Sequence, residues 1–153
     1  MILNRQRSVA VSLASLDRFW QQARQSLHLP EDSLTICLVS EARIARWNRA
    51  YRGKPGPTDV LSFPADGRRK SAPRDKKRAS KSFPAGGDYL GDVAIAPVVA
   101  RRNARRLGRA LPEELRILIL HGALHLLGYD HETDHGEMDR VERRLRRRLG
   151  LTP

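Results

Sequence analysis

Between Ile117 and Leu127 the only polar side chains are His121 and His125. A segment that is apolar all round belongs in an interior, so the stretch predicts a buried helix around which the other elements must be layered. Histidines four apart share one helical face, one turn from each other. Gly128 can enter the left-handed conformation and stop the helix. The chain then turns back and brings His131 towards the first two rings. Three neutral imidazoles converging on a point make an open zinc site with a fourth position free. The competing reading is a pair of core histidines bonded to backbone carbonyls, since an unsatisfied buried polar group costs about 1–3 kcal/mol. The third histidine at a turn, where metal sites are commonly completed, favours the metal.

The order His121, His125, Gly128, His131 is also the skeleton of the metzincin metalloproteases, which carry a glutamate as general base directly after the first histidine. Here that position is Gly122. Glycine cannot take a proton, so the peptidase chemistry loses its base.

The rest of the chain sets the context. Its 153 residues make one domain the default and allow a sizeable core. A single cysteine, Cys37, rules out an internal disulfide and fits a cytoplasmic location. No stretch reads as a transmembrane span. The segment from Met1 to Leu16 holds three serines and runs into Asp17-Arg18, so it reads as folded structure rather than a signal peptide. The net charge of +12 points to a polyanion as partner.

In order, Ile2 to Gln6 predicts an edge strand. Ser12 caps a first helix carrying Leu13, Leu16, Trp20, Ala23 and Leu27 at helical spacing. Pro30 ends it. Leu34 to Val39 predicts a central strand. Ser40 caps a second helix through Ile44 and Trp47 to Tyr51, and both tryptophans read as core. Strands follow at Val60 to Phe63 and Tyr89 to Ala96, with Gly91-Asp92 marking a bend or bulge. A third helix from about Pro97 to Gly108 and the residue just past it carry Arg101, Arg102, Arg105, Arg106 and Arg109 as a basic stripe. Pro112 opens the histidine helix, with Glu113 and Glu114 suiting its first turn. A last helix runs from about Asp134 to Leu149.

Charge is unevenly spread. Gly67 to Gly87 holds eight Lys/Arg against one acid and no Leu, Ile or Val, which predicts a flexible basic loop at about 66–88. Such a loop suits a phosphate backbone, or else is a solvated linker. Glu113 to Asp139, in contrast, holds seven acids and one basic residue besides histidine, Arg116. That suits a cation site with carboxylates behind its ligands.

Three stretches, in order, resemble the YbeY family of endoribonucleases. They are Asn48-Arg49-Ala50-Tyr51-Arg52 running into Pro57 to Pro64 (PTDVLSFP), then Leu90-Gly91-Asp92-Val93, then His121 to His131 (HGALHLLGYDH). The resemblance implies a single α/β domain, a small mixed sheet of about four strands flanked by about five helices. It implies His121, His125 and His131 as ligands of one zinc ion, and Arg52 and His121 as catalytic residues. It further implies a zinc-dependent endoribonuclease acting on single-stranded RNA in maturation of the small-subunit ribosomal RNA 3′ end and in ribosome quality control. Its partners would be ribosomal RNA, the small ribosomal subunit and its assembly factors, in the cytoplasm and with no membrane; the sequence leaves the oligomeric state open, with a monomer the default. The stretch between LSFP and LGDV is longer and more basic than the family leads one to expect.

Chemically, zinc held by three imidazoles can acidify bound water or polarise a phosphoryl oxygen. Arg52 would stabilise charge on the phosphoryl oxygens, or else pair with Asp59. Asp59 and Asp92 are candidates to orient the imidazoles or else to brace the structure around the loop, Tyr129 to close over the site or simply to pack, and His135 reads as a surface residue that could visit the free metal position. Two rival readings remain: a different metal hydrolase of peptidase type, and a non-catalytic ribosome assembly factor containing structural zinc.

Overall fold

The computed structural model describes residues 1–65 and 89–153. The basic loop expected at about 66–88 lies outside them. Four strands, β1 (Ile2–Asn4), β2 (Leu34–Leu38), β3 (Val60–Pro64) and β4 (Gly91–Ile95), form one sheet in the order β1-β2-β4-β3. The first three in that order are parallel, and β3 closes the edge antiparallel to β4. Five helices accompany them among the described residues: α1 (Leu13–Ser26), α2 (Glu41–Arg52), α3 (Pro97–Arg106), α4 (Leu111–Leu126) and α5 (Glu137–Arg148).

Local chemistry sets these boundaries. The Ser12 and Ser40 side chains accept from the backbone N–H of Ser15 and Arg43, capping α1 and α2 as expected. Asp134 accepts from the N–H groups of Gly136 at 2.9 Å and Met138 at 2.8 Å, so α5 starts after it rather than at it. Of the bend or bulge expected near Gly91, no bulge forms: pairing of β4 with both neighbours runs unbroken from Gly91, whose φ is 140°.

The strands alternate between two cores. Leu34, Ile36, Leu38, Val93 and Ile95 point to α1 and α4, where they meet Leu16, Phe19, Trp20, Leu115, Ile119 and Ala123. Leu61 and Ala94 point the other way, under Ile44 of α2, with Trp47 and Phe63 partly buried beside them. A third cluster joins Leu120 and Leu124 of α4 to Met138 and Leu145 of α5. Helix α4 is thus covered by the sheet and by neighbouring helices, as its composition requires. Leu13, expected on the buried stripe, is exposed as the first residue of α1, while Phe19 takes a core place.

The basic stripe of α3 is broken by pairing. Arg102 pairs with Glu41, and Arg109 with Glu114 at 2.7 Å in a largely buried bridge. Arg102 thus ties α3 to α2, and Arg109, in the connection after α3, ties that connection to the first turn of α4. Arg105 and Arg106 stay exposed.

Candidate metal centre

Gly122 fixes where α4 lies. A Cβ there would sit 2.5 Å from Val93 Cγ1 of β4, so only glycine permits this approach of helix to sheet. Ser62 of β3 donates its hydroxyl to the Gly122 carbonyl at 3.1 Å, pinning the contact. The position next to His121 therefore faces the sheet. A glutamate there would collide with β4, which removes the peptidase-type base on steric grounds as well as chemical ones.

One turn on, α4 ends as the sequence predicts. Gly128 takes φ 99°, its N–H bonds to the His125 carbonyl at 3.0 Å, and the Tyr129 N–H returns to Leu124 at 3.1 Å. Asp130 then accepts from the N–H of Glu132 through its side chain and from those of Thr133 and Asp134 through its carbonyl. This turn carries His131 back. The ring centroids lie 4.6 Å apart for His121 and His125, 5.6 Å for His121 and His131, and 5.3 Å for His125 and His131. One nitrogen from each of the three lies within 4.8 Å of the others, so the trio could hold a metal ion. His135 is exposed and outside the group.

Tautomers follow from the groups behind the rings. His121 Nδ1 faces Glu142 Oε1 at 2.9 Å, and His125 Nδ1 faces the Tyr129 carbonyl at 3.0 Å. Both partners are acceptors, so both Nδ1 atoms carry protons. The two Nε2 atoms face each other 3.1 Å apart. With both rings neutral their lone pairs point into one space, as two ligands of a cation do. For zinc with bonds of about 2.0–2.1 Å the edge of a tetrahedron is about 3.3 Å, close to this spacing. The donors fit the ion. Burial, followed by the neighbouring His121, pulls the His125 pKa down to about 4, so this ring is neutral at physiological pH, as a ligand must be.

The carboxylate at the site is one the sequence reading passed over. Burial pushes the Glu142 carboxyl up, but the hydrogen bond and charge of His121, with the Arg146 guanidinium, outweigh that and leave it below the usual carboxylate range. Arg146 grips its other oxygen at 3.0 Å. A signal existed: Met138, Glu142 and Leu145 recur as the buried stripe of α5, and an acid on such a stripe needs a partner inside. Neither aspartate expected to orient the rings does so. Asp59 accepts from Asn103 at 3.1 Å, and Asp92 accepts from the Tyr89 hydroxyl. The Tyr129 ring packs into the α4–α5 cluster, and it is its carbonyl that serves His125.

Arg52 ends α2, half-buried, with Nη2 3.5 Å from Glu132, the residue after His131. The expected alternative partner, Asp59, is not its partner. The structure brings Arg52 to the turn that carries the third histidine.

Comparison with known proteins agrees with this architecture. The family model described as endoribonuclease YbeY matches residues 1–150. Proteins named endoribonuclease YbeY are similar to the chain across most of both lengths. The one from Koribacter versatilis is 39% identical over 99% of this chain and 86% of its own. That from Thermobifida fusca is 42% identical over 87% and 81%. A solution structure of a Thermotoga maritima protein shares the fold, with a TM-score of 0.58, 24% identity, and coverage of 97% of this chain and 89% of that one. With a family model spanning nearly its whole length and relatives at this identity, the chain belongs to the endoribonuclease YbeY family.

Proposed function

We propose that the protein is a zinc-dependent endoribonuclease that cleaves single-stranded RNA, acting in maturation of the small-subunit ribosomal RNA 3′ end and in ribosome quality control. The observation that carries the proposal is the pair of Nε2 atoms 3.1 Å apart, with His131 within reach and on the solvent side. His121, His125 and His131 would hold the ion. When bound, zinc supplies Lewis acidity towards the scissile phosphate. Glu142 and the Tyr129 carbonyl keep both helix imidazoles turned to it. Arg52, permanently charged and able to bind in bidentate fashion, steadies charge on the phosphoryl oxygens. Small ribosomal subunits and their assembly factors are the partners that this reading supplies. No helix among the described residues is long and apolar enough to cross a membrane.

The test is metal content together with cleavage. The purified protein should hold about one zinc per chain, and single-stranded RNA should be cut in a chelator-sensitive way while casein stays intact. His121→Ala should lose both the ion and the cleavage, and Arg52→Ala should keep the ion and lose most cleavage. Protein that binds zinc and small subunits but cuts no RNA would instead be a non-catalytic assembly factor.

A further inference from the structure

Beside the histidine trio stands a second feature, at the C-terminal end of α2. Tyr51 is 50% exposed, yet its ring is held: it meets Phe63 edge-on at 4.8 Å and 61°, and Phe63 meets Trp47 at 5.8 Å and 87°. A surface ring braced by two others offers a large apolar face at little cost in side-chain freedom. It adjoins Arg52. Its brace, Phe63, follows Ser62, which is bonded to the residue next to His121.

Charge says what would cover this ring. Lys54 follows it just past the helix end and is exposed, and among the described residues no carboxylate lies within 4.0 Å of it. Arg52 has only a 3.5 Å contact with a half-exposed glutamate. An exposed aromatic face with cations at the same helix end is the pattern that binds single-stranded nucleic acid, where bases stack and phosphates meet cations.

We propose that Tyr51 is a stacking platform for a base of the RNA flanking the scissile phosphate, with Arg52 and Lys54 at the same helix end taking neighbouring phosphates. The inference rests on the endoribonuclease reading and adds a cause for strand selection. A base inside a duplex has no free face to lay on Tyr51, whereas an unpaired one does.

The experiment measures binding and cleavage separately. With zinc-loaded protein, anisotropy of a labelled single-stranded oligoribonucleotide should show Tyr51→Ala binding about 5- to 100-fold more weakly. Tyr51→Phe and Tyr51→Trp, which keep a ring, should bind within about 2-fold of wild type, since any base can stack on any aromatic face. In cleavage the Tyr51→Ala loss should fall mainly on KM. A single abasic nucleotide moved along the strand should weaken wild-type binding at one position, and Tyr51→Ala should not sense it there. If Tyr51→Ala binds as wild type does, or the abasic site costs the same in both, the platform is wrong. Failure of the wild type to cut RNA would sink the enzyme reading and leave the anisotropy comparison to decide this one.

Discussion

Helices α4 and α2 are built on opposite plans. Of the residues of α4, ten are buried, and each imidazole it carries is tied to an acceptor behind it. In α2 only Ile44 and Asn48 are buried, and its arginines point outwards. The contrast separates two jobs. Holding a small ion needs atoms fixed to fractions of an ångström, and a packed interior supplies that. Meeting a long, variable anion needs exposed cations, which keep their hydration and mobility until the ligand arrives.

The comparison breaks first on stability. Leu124→Ala, in the cluster between α4 and α5, should cost about 2–5 kcal/mol of unfolding free energy. Arg46→Ala on α2 should change it by no more than about 0.5 kcal/mol. Urea melts of the two variants would show this. If both fall together, α2 is as much part of the core as α4, and the division of labour fails.

A finer cut concerns Glu142. Its carboxylate holds the His121 ring while Arg146 holds the carboxylate. Glu142→Ala should weaken zinc binding about 10- to 100-fold, by competition with a coloured chelator, because losing the group behind a ligand disorders the ligand. Glu142→Gln keeps an acceptor for Nδ1–H and should lose less. Equal affinity in all three proteins would mean that packing alone orients His121.

Much of this was legible in the chain because the signals were local. Ser12 and Ser40 announce their helices, Gly128 announces the end of α4, and the spacing of His121 and His125 puts both rings on one face. The same locality explains the misses. Arg52 was weighed against Asp59, seven residues away, but closes on Glu132, eighty residues away, since chain direction after Gly53 is a tertiary matter. Leu13 fitted the apolar period of α1, but a period says nothing about where the neighbouring layer stops. Asp59 and Asp92 lie in the stretches that look like the family, yet the orienting acid is Glu142, on another helix. Gly122 was read for the base it lacks. Its steric reason, the Val93 side chain beneath it, needs the sheet in place.

The smallest effect sharpens the contrast most directly. Arg52 of α2 reaches the turn that carries His131, through Glu132. That contact is long and partly exposed, so it contributes at most about 1 kcal/mol and is screened by salt. On the proposed function, a phosphate arriving between His131 and Arg52 would compete with Glu132 for the same guanidinium. Glu132→Gln should therefore tighten single-stranded RNA binding by about 2- to 5-fold at low salt, with the gain fading as ionic strength rises. Binding isotherms at two salt concentrations suffice to measure it. Weaker binding in Glu132→Gln would show that the pair holds Arg52 in its working position instead of competing for it, and would make Glu132 part of the rigid centre rather than of the surface that receives the strand.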